Sequence, residues 1–166
     1  MMMIDVASAD LLPGEARKFS FTVTADSLDF GEDISSYRGK VRVEGAVVDT
    51  GAVYRVIGTI WAVRNFICDR CLAEGKREST CDFSEDYAKT PGEADGTGSC
   101  DGETIVLDDL VRDTLLMAEP LRELCKSDCK GLCPVCGCNL NEGTCGCDTF
   151  VPDPRLAALE SLRKND

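Results

Sequence analysis

The chain has 166 residues, of which 43% are hydrophobic, and it carries a formal net charge of −12, eleven cysteines and no histidine. The absence of an imidazole excludes Ser-His and Cys-His catalytic pairs, and it excludes zinc sites that mix cysteine with histidine. This length predicts one domain with a real core, and no run of about 18 apolar residues is present to cross a membrane.

The first twelve residues include Asp5 and Asp10, whereas a secretory signal peptide has a basic start followed by a long apolar stretch. We therefore expect a cytoplasmic protein without a membrane contact. In that reducing compartment, closely spaced cysteines indicate metal binding or redox chemistry in preference to structural disulfides.

The first half of the chain predicts an antiparallel sheet. From Arg17 to Thr24, apolar and polar residues alternate with a period of two, which is typical of a half-buried strand. Residues 40–48 and 52–67 are rich in β-branched and aromatic residues and flank Asp49-Thr50-Gly51, which predicts a hairpin. Residues 76–88 predict a polar edge strand.

The 52–67 strand is apolar on both faces, so we expect it at the centre of the sheet. Gly45 and Gly58 are expected to mark a bulge or a bend. Residues 90–102 contain four glycines, three acids and no large apolar residue, which predicts a mobile loop.

Residues 104–107 predict a short strand, and a helix follows in which Asp108 is the expected N-cap and Pro120 the limit. Asp153-Pro154 and the leucines after it predict an amphipathic helix at the end of the chain. The predicted fold is thus α+β: an antiparallel β-sheet or partly open β-barrel with a few helices and a C-terminal cysteine-rich zinc knuckle. We divide it into a β core with an acidic loop and helix (1–120), the knuckle (121–150) and the C-terminal helix (151–166).

The segment 125–147 contains seven of the eleven cysteines. In Cys133-Pro134-Val135-Cys136-Gly137, a two-residue gap lets both sulfurs reach one ion, and glycine permits the tight backbone return of a metal knuckle. Cys145 and Cys147 are the nearest donors downstream. We therefore predict a closed, structural zinc site with the ligands Cys133, Cys136, Cys145 and Cys147.

Other cysteines compete for this role. Cys125 and Cys129 are four residues apart, and Cys68 and Cys71 form a second Cys-x-x-Cys that can close a site across the fold, so two sites are conceivable. Arg70 next to Cys71 also permits a thiol redox function based on Cys68 and Cys71, because a cation lowers a thiol pKa. Three cysteines are interpreted as buried hydrophobes or exposed thiols: Cys81, Cys100 and Cys138.

Four ordered motifs make the sequence similar to a known family: Cys68-Asp69-Arg70-Cys71-Leu72, Leu107 to Pro120, Asp128 to Gly137, and Asp153 to Ala157. Together they resemble the bacterial YceD family from about Gly14 to the end. The resemblance implies a non-catalytic protein needed for accumulation of large-subunit ribosomal RNA, and hence for its processing or for ribosome assembly. Because members differ in their cysteines, the knuckle is expected to reinforce the fold, and Cys100 and Cys138 are departures without a family role.

The charge distribution suggests how such a role is exerted. Residues 82–119 have eleven acids and two bases, a net charge of −9, whereas residues 36–77 have eight bases and four acids, a net charge of +4. A pI near 4.4 argues against broad RNA binding, so the expected partner is a ribosomal protein or a large-subunit precursor particle that meets the acidic segment. The alternative interpretation is that the acidic segment is simply a solvated loop followed by the start of a helix. Direct rRNA contact is expected to be limited to a basic face, and the oligomeric state is left open. The candidate residues of this face are Arg38, Arg42, Arg55, Arg64 and Arg70, with Trp61 and Phe66 nearby.

Overall fold

The computed structural model describes residues 1–7, 13–30, 37–89, 98–99, 103–148 and 155, with only the backbone at 98–99. These residues form seven β-strands, one α-helix and a short 3-10 turn at Ala25–Ser27. Within the described ranges, every helix is too short or too polar to traverse a lipid bilayer.

Five strands form the main sheet in the order β2-β3-β4-β5-β6, where β2–β3 and β3–β4 are antiparallel and β5–β6 is parallel. Their bounds are Ala16–Thr24 (β2), Lys40–Asp49 (β3), Val53–Ile67 (β4), Glu74–Ala88 (β5) and Gly98–Ser99 (β6). The strand predicted from Arg17, the hairpin and the central place of β4 are thereby confirmed. The hairpin turns at Gly51, whose φ of +93° requires a glycine in practice.

Two further strands, β1 (Met3–Asp5) and β7 (Thr104–Val106), pair antiparallel as a separate small sheet. Helix α1 (Asp108–Met117) follows β7 directly. The buried face of the main sheet, the small sheet and α1 share one core, to which Val111 and Leu115 of the helix contribute. In that core Tyr37 stacks on Phe30 and donates a hydrogen bond of 2.9 Å to the carbonyl oxygen of Leu115.

Gly45 and Gly58 face each other across β3 and β4 in an unbroken register. A Cβ on Gly45 would lie 2.2 Å from the carbonyl oxygen of Ile57 and 2.7 Å from the ring of Phe19. The predicted bulge is therefore wrong: these glycines let two backbones and an aromatic ring approach closely.

Other expectations change as well. In the described part of the chain both sheets are open and mostly antiparallel, so the sheet alternative is confirmed and the barrel alternative is wrong. The described residues contain one α-helix where the sequence predicted a few. Asp108 does not cap α1. Instead, its carboxylate accepts a hydrogen bond of 2.8 Å from the backbone N–H of Met2 and so fixes the position of that residue. Of the predicted loop 90–102, residues 98–99 form β6 and the rest lies outside the described residues.

The chain is organised into two compact units. The first comprises Met1–Phe66 and Gly75–Leu121, and the second comprises Ile67–Glu74 and Arg122–Asp166. The loop between β4 and β5 thus belongs with the C-terminal segment. The helix predicted after Pro154 lies outside the described residues except for Arg155, and the division at 120 and 150 stays a prediction.

Candidate metal centres

The second unit contains two groups of four cysteines. The first cluster is Cys68, Cys71, Cys125 and Cys129, and the second cluster is Cys133, Cys136, Cys145 and Cys147. In each cluster the four Sγ atoms lie within 4.8 Å of one another. Because four convergent sulfurs match the donor set of a tetrahedral thiolate site, either cluster can hold a metal ion.

Each cluster begins with the same backbone turn around a Cys-x-x-Cys. The N–H of Leu72 donates a hydrogen bond of 2.9 Å to the carbonyl oxygen of Cys68, and the N–H of Gly137 does the same to Cys133 at 2.9 Å. Both donors have a positive φ, +59° for Leu72 and +73° for Gly137. The turn returns the chain so that both sulfurs of the pair face the same point.

In the first cluster the sulfurs approach in pairs. Cys68 and Cys129 are 3.8 Å apart, and Cys71 and Cys125 are 3.6 Å apart. Cys68, Cys71 and Cys129 are buried, whereas Cys125 is exposed. Leu124 and Leu132 pack against the buried thiols. The cluster is thus largely shielded from water.

Hydrogen bonds fix the elements that carry these ligands. The guanidinium of Arg70 donates to the carbonyl oxygen of Cys129 at 2.7 Å, and the carbonyl of Arg70 accepts from the N–H of Leu132 at 3.0 Å. The amide of Asn141 donates to the sulfur of Cys129 at 3.4 Å. Polar donors around the sulfurs stabilise negative charge and orient the ligands.

The pKa values of the thiols reflect this arrangement. Backbone N–H groups, that of Cys125 first, lower the pKa of Cys68 to about 6. The N–H groups of Cys136 and Val135 lower the pKa of Cys133 to about 6. Desolvation of its sulfur by the surrounding cluster, followed by hydrogen bonding to the neighbouring thiols, raises the pKa of Cys125 to about 12. Hydrogen bonds also lower the pKa of Cys129, against the effect of its burial, and the pKa of Cys136. Each cluster therefore combines two thiols of lowered pKa with at least one whose pKa is raised, Cys71 and Cys125 in the first and Cys147 in the second.

The second cluster is more open to solvent. Cys133 is buried, Cys145 and Cys147 are partly buried, and Cys136 is exposed. A short antiparallel bridge between Leu132 and Asn139 leads into it. The four predicted zinc ligands are thus brought together, although their role as ligands remains a prediction.

A fifth thiol adjoins the second cluster. Cys138 forms hydrogen bonds with the thiols of Cys136 and Cys145, which raise the pKa of Cys138 to about 12. The interpretation of Cys138 as a space-filling or merely exposed residue missed this contact, although its spacing of two from Cys136 was visible. Cys81 is buried in the core of the first unit, as expected, and Cys100 lies outside the described residues.

The first unit offers a different feature, a groove of about 440 Å³ between β5 and α1. Its walls are residues 80–85 of β5 and Leu110, Thr114, Met117 and Ala118 of the helix side. Glu85 is partly exposed along it, and Met117 is 88% exposed. Asp82 is exposed beside the groove, where its carboxylate accepts a hydrogen bond of 2.7 Å from the hydroxyl of Thr59 on β4. The groove combines apolar surface with carboxylates.

The arginines that predicted a basic face are engaged with acidic or carbonyl groups. Arg42 pairs with Glu44, and Arg55 pairs with Asp86 at 2.7 Å. Arg64 is buried 4.0 Å from Glu119. Arg38 lies 3.8 Å from Asp26, and Arg70 bonds the carbonyl of Cys129. The predicted surface is therefore largely neutralised.

Comparison with known proteins places the chain in a family. Residues 56–163 match the family model described as large ribosomal RNA subunit accumulation protein YceD. An uncharacterized protein of Mycobacterium bovis and two uncharacterized proteins of Mycobacterium tuberculosis are each 29% identical over 172 residues, covering 97% of this chain and 81% of the relative. No solved structure matches. The match spans both Cys-x-x-Cys turns, the groove between β5 and α1, and α1 itself. The chain therefore belongs to the YceD family.

Proposed function

We propose that this protein supports the accumulation of large-subunit ribosomal RNA by binding a ribosomal component, a basic segment of a ribosomal protein on a large-subunit precursor particle. The family description supports the role in RNA accumulation. The observation that carries the binding mode is the groove between β5 and α1, which joins an apolar floor to carboxylates in a chain of net charge −12. A segment that combines lysine, arginine and apolar side chains would be complementary to such a surface.

The groove is suited to an extended segment. Six consecutive residues of β5 line it, and within the described part of the chain β6 pairs only with Tyr87 and Ala88 at the end of that strand. Leu110 and Met117 supply apolar surface on the opposite wall. Glu85, together with Asp82 on the opposite face of the same strand, can attract a basic segment, and such an attraction accelerates encounter and weakens with salt.

Direct RNA binding is a weaker explanation. An RNA-binding surface neutralises several phosphates with unpaired lysines and arginines. Here the guanidinium of Arg55 already forms two hydrogen bonds with Asp86, at 2.7 and 2.8 Å. Arg64 is inside the core. We therefore propose that contact with RNA is minor.

The alternative of a thiol redox enzyme is also less well supported. Cys68 has the lowered pKa that a nucleophilic thiol needs. However, Cys68 has no exposed surface and Cys71 is 7% exposed, so a disulfide substrate has no access to either sulfur. The family is described as an accumulation factor.

We also propose that Cys133, Cys136, Cys145 and Cys147 bind a structural zinc ion. Sulfur-only tetrahedral sites select zinc or iron–sulfur chemistry, and the second cluster has no spacing typical of a ferredoxin. The ion would hold together a polar, turn-rich segment that buries little apolar surface, and four thiolates leave no open position for a substrate.

The binding mode is tested with Asp82→Asn/Glu85→Gln, compared with the charge-matched control Glu15→Gln/Glu78→Gln, which alters exposed acids outside the groove. We expect the groove variant to bind purified large-subunit proteins about fivefold more weakly, since two rim charges contribute about 1 kcal/mol. The control should bind like the wild type. In cells that lack the gene, the groove variant should restore less large-subunit RNA than the control. Equal binding and equal RNA levels for both variants would refute the proposed surface.

A further inference from the structure

We propose that the first cluster, Cys68, Cys71, Cys125 and Cys129, binds a second zinc ion, independently of the second cluster. This site goes beyond the proposed function, because it concerns the construction of the second unit and is independent of any ribosomal partner. The ligands come from the loop between β4 and β5 and from the segment after α1. Zinc therefore joins two distant parts of the chain.

The distances between sulfurs fit a metal. With zinc–sulfur bonds of about 2.3 Å, the edge of a regular tetrahedron is about 3.8 Å. The observed separations are 3.8 Å for Cys68 and Cys129 and 3.6 Å for Cys71 and Cys125. A disulfide requires about 2.05 Å. These two separations match edges of such a tetrahedron, and all four sulfurs lie within 4.8 Å of one another.

The backbone of Leu72 provides an independent observation. It is the one non-glycine residue with a positive φ in the described chain, at +59°. Left-handed backbone is unfavourable for a leucine, and its side chain, 64% exposed, gains little from packing. Gly137 has the same place in the turn of the second cluster. Such a conformation persists only when its surroundings impose it, and two sulfurs bound to one ion do so.

The electrostatics favour a cation once the four thiols are ionised. Three of the four thiols are buried, and as thiolates the four would carry a charge of −4, which zinc halves. The amide of Asn141 and the backbone N–H groups directed at Cys68 offset part of the remainder. Apolar neighbours Leu124 and Leu132 exclude water from the site. These are the features of a closed, structural ion.

The first test measures the number of metal ions per chain in the purified full-length protein by elemental mass spectrometry. We expect two zinc ions per chain in the wild type, one in Cys68→Ser/Cys71→Ser and one in Cys133→Ser/Cys136→Ser. Cys81→Ser removes a buried thiol of the first unit and should retain both ions. Leu72→Gly should also retain both, because glycine adopts a positive φ readily. One zinc ion in the wild type, lost entirely in Cys133→Ser/Cys136→Ser, overturns the proposal, as does iron in the first cluster.

A second test does not depend on whether a variant folds. Metal-free wild-type protein is titrated with Co²⁺, and the thiolate-to-cobalt charge-transfer absorption is followed. We expect the absorption to rise until two equivalents are bound and zinc to displace both. A break at one equivalent would contradict the proposal. Failure of this test would leave the groove proposal intact, because the groove is built from first-unit residues alone.

Discussion

The paired glycines of β3 and β4 allow a stability prediction with a magnitude. In Gly45→Ala, the new Cβ would lie 2.2 Å from the carbonyl oxygen of Ile57, where ordinary contact begins at about 3.4 Å. The strands must separate by about 1 Å, which stretches neighbouring hydrogen bonds of about 2.9 Å beyond their useful range. Two weakened bonds at about 1 kcal/mol each and overpacking of about 1–3 kcal/mol give a loss of about 3–5 kcal/mol.

The matched control is Gly51→Ala. Gly51 has a φ of +93° and no atom within 4 Å of its would-be Cβ, so only the conformational cost of about 1 kcal/mol applies. Urea unfolding in excess zinc is followed through Trp61, the single tryptophan, which lies on β4. Because total stability is about 5–15 kcal/mol, the difference between the two variants is measurable. If Gly45→Ala is no less stable than Gly51→Ala, the close approach of the strands does not control stability.

Three further changes test other contacts. Tyr37→Phe should cost about 1–2 kcal/mol in urea unfolding, because the buried carbonyl of Leu115 loses its 2.9 Å donor while the ring stacking remains; an unchanged midpoint would contradict this. The hydrogen bond from Lys89 lowers the pKa of Asp49 below 3.8, so the stabilising contribution of Asp49 is present above that pH and lost as the pH falls through the folded-state pKa. In Asp49→Asn, the melting temperature should therefore depend less steeply on pH in the acid range. An unaltered pH slope would contradict this. Cys147→Ser should keep metal in the second cluster because Cys138 replaces the lost ligand, whereas Cys138→Ser/Cys147→Ser should lose it; equal metal content in both variants would exclude that replacement.

The main sheet could be predicted from the sequence because the patterns that indicate its strands and turn are local. Alternation in β2 and the Asp49-Thr50-Gly51 break record which face is buried and where the chain turns, and the structure reproduces both. Strand β1 lacked such a signal. Its three residues are held by pairing with β7, and the preceding Met2 is held by Asp108; both partners lie about a hundred positions away, which no local pattern reveals.

The same distinction applies to the cysteines. The second cluster spans a short stretch, so spacing alone suggested which sulfurs meet. The partners of Cys68 and Cys71 lie 54 to 61 residues further on, and only the folded chain brings them together. The prediction of a bulge at the glycine pair failed for another reason. A close approach of two strands and a bulge both require glycine, and only the cross-strand register distinguishes them.

The separation of the ligands in the first cluster has a consequence for the timing of biosynthesis. Cys71 is translated 54 residues before Cys125, so the nascent chain carries half a coordination sphere until the segment after α1 has been made. Linking positions 54 residues apart removes about 4 kcal/mol of chain entropy from the unfolded state. Capture of the ion can therefore follow only after the main sheet and α1 have been translated.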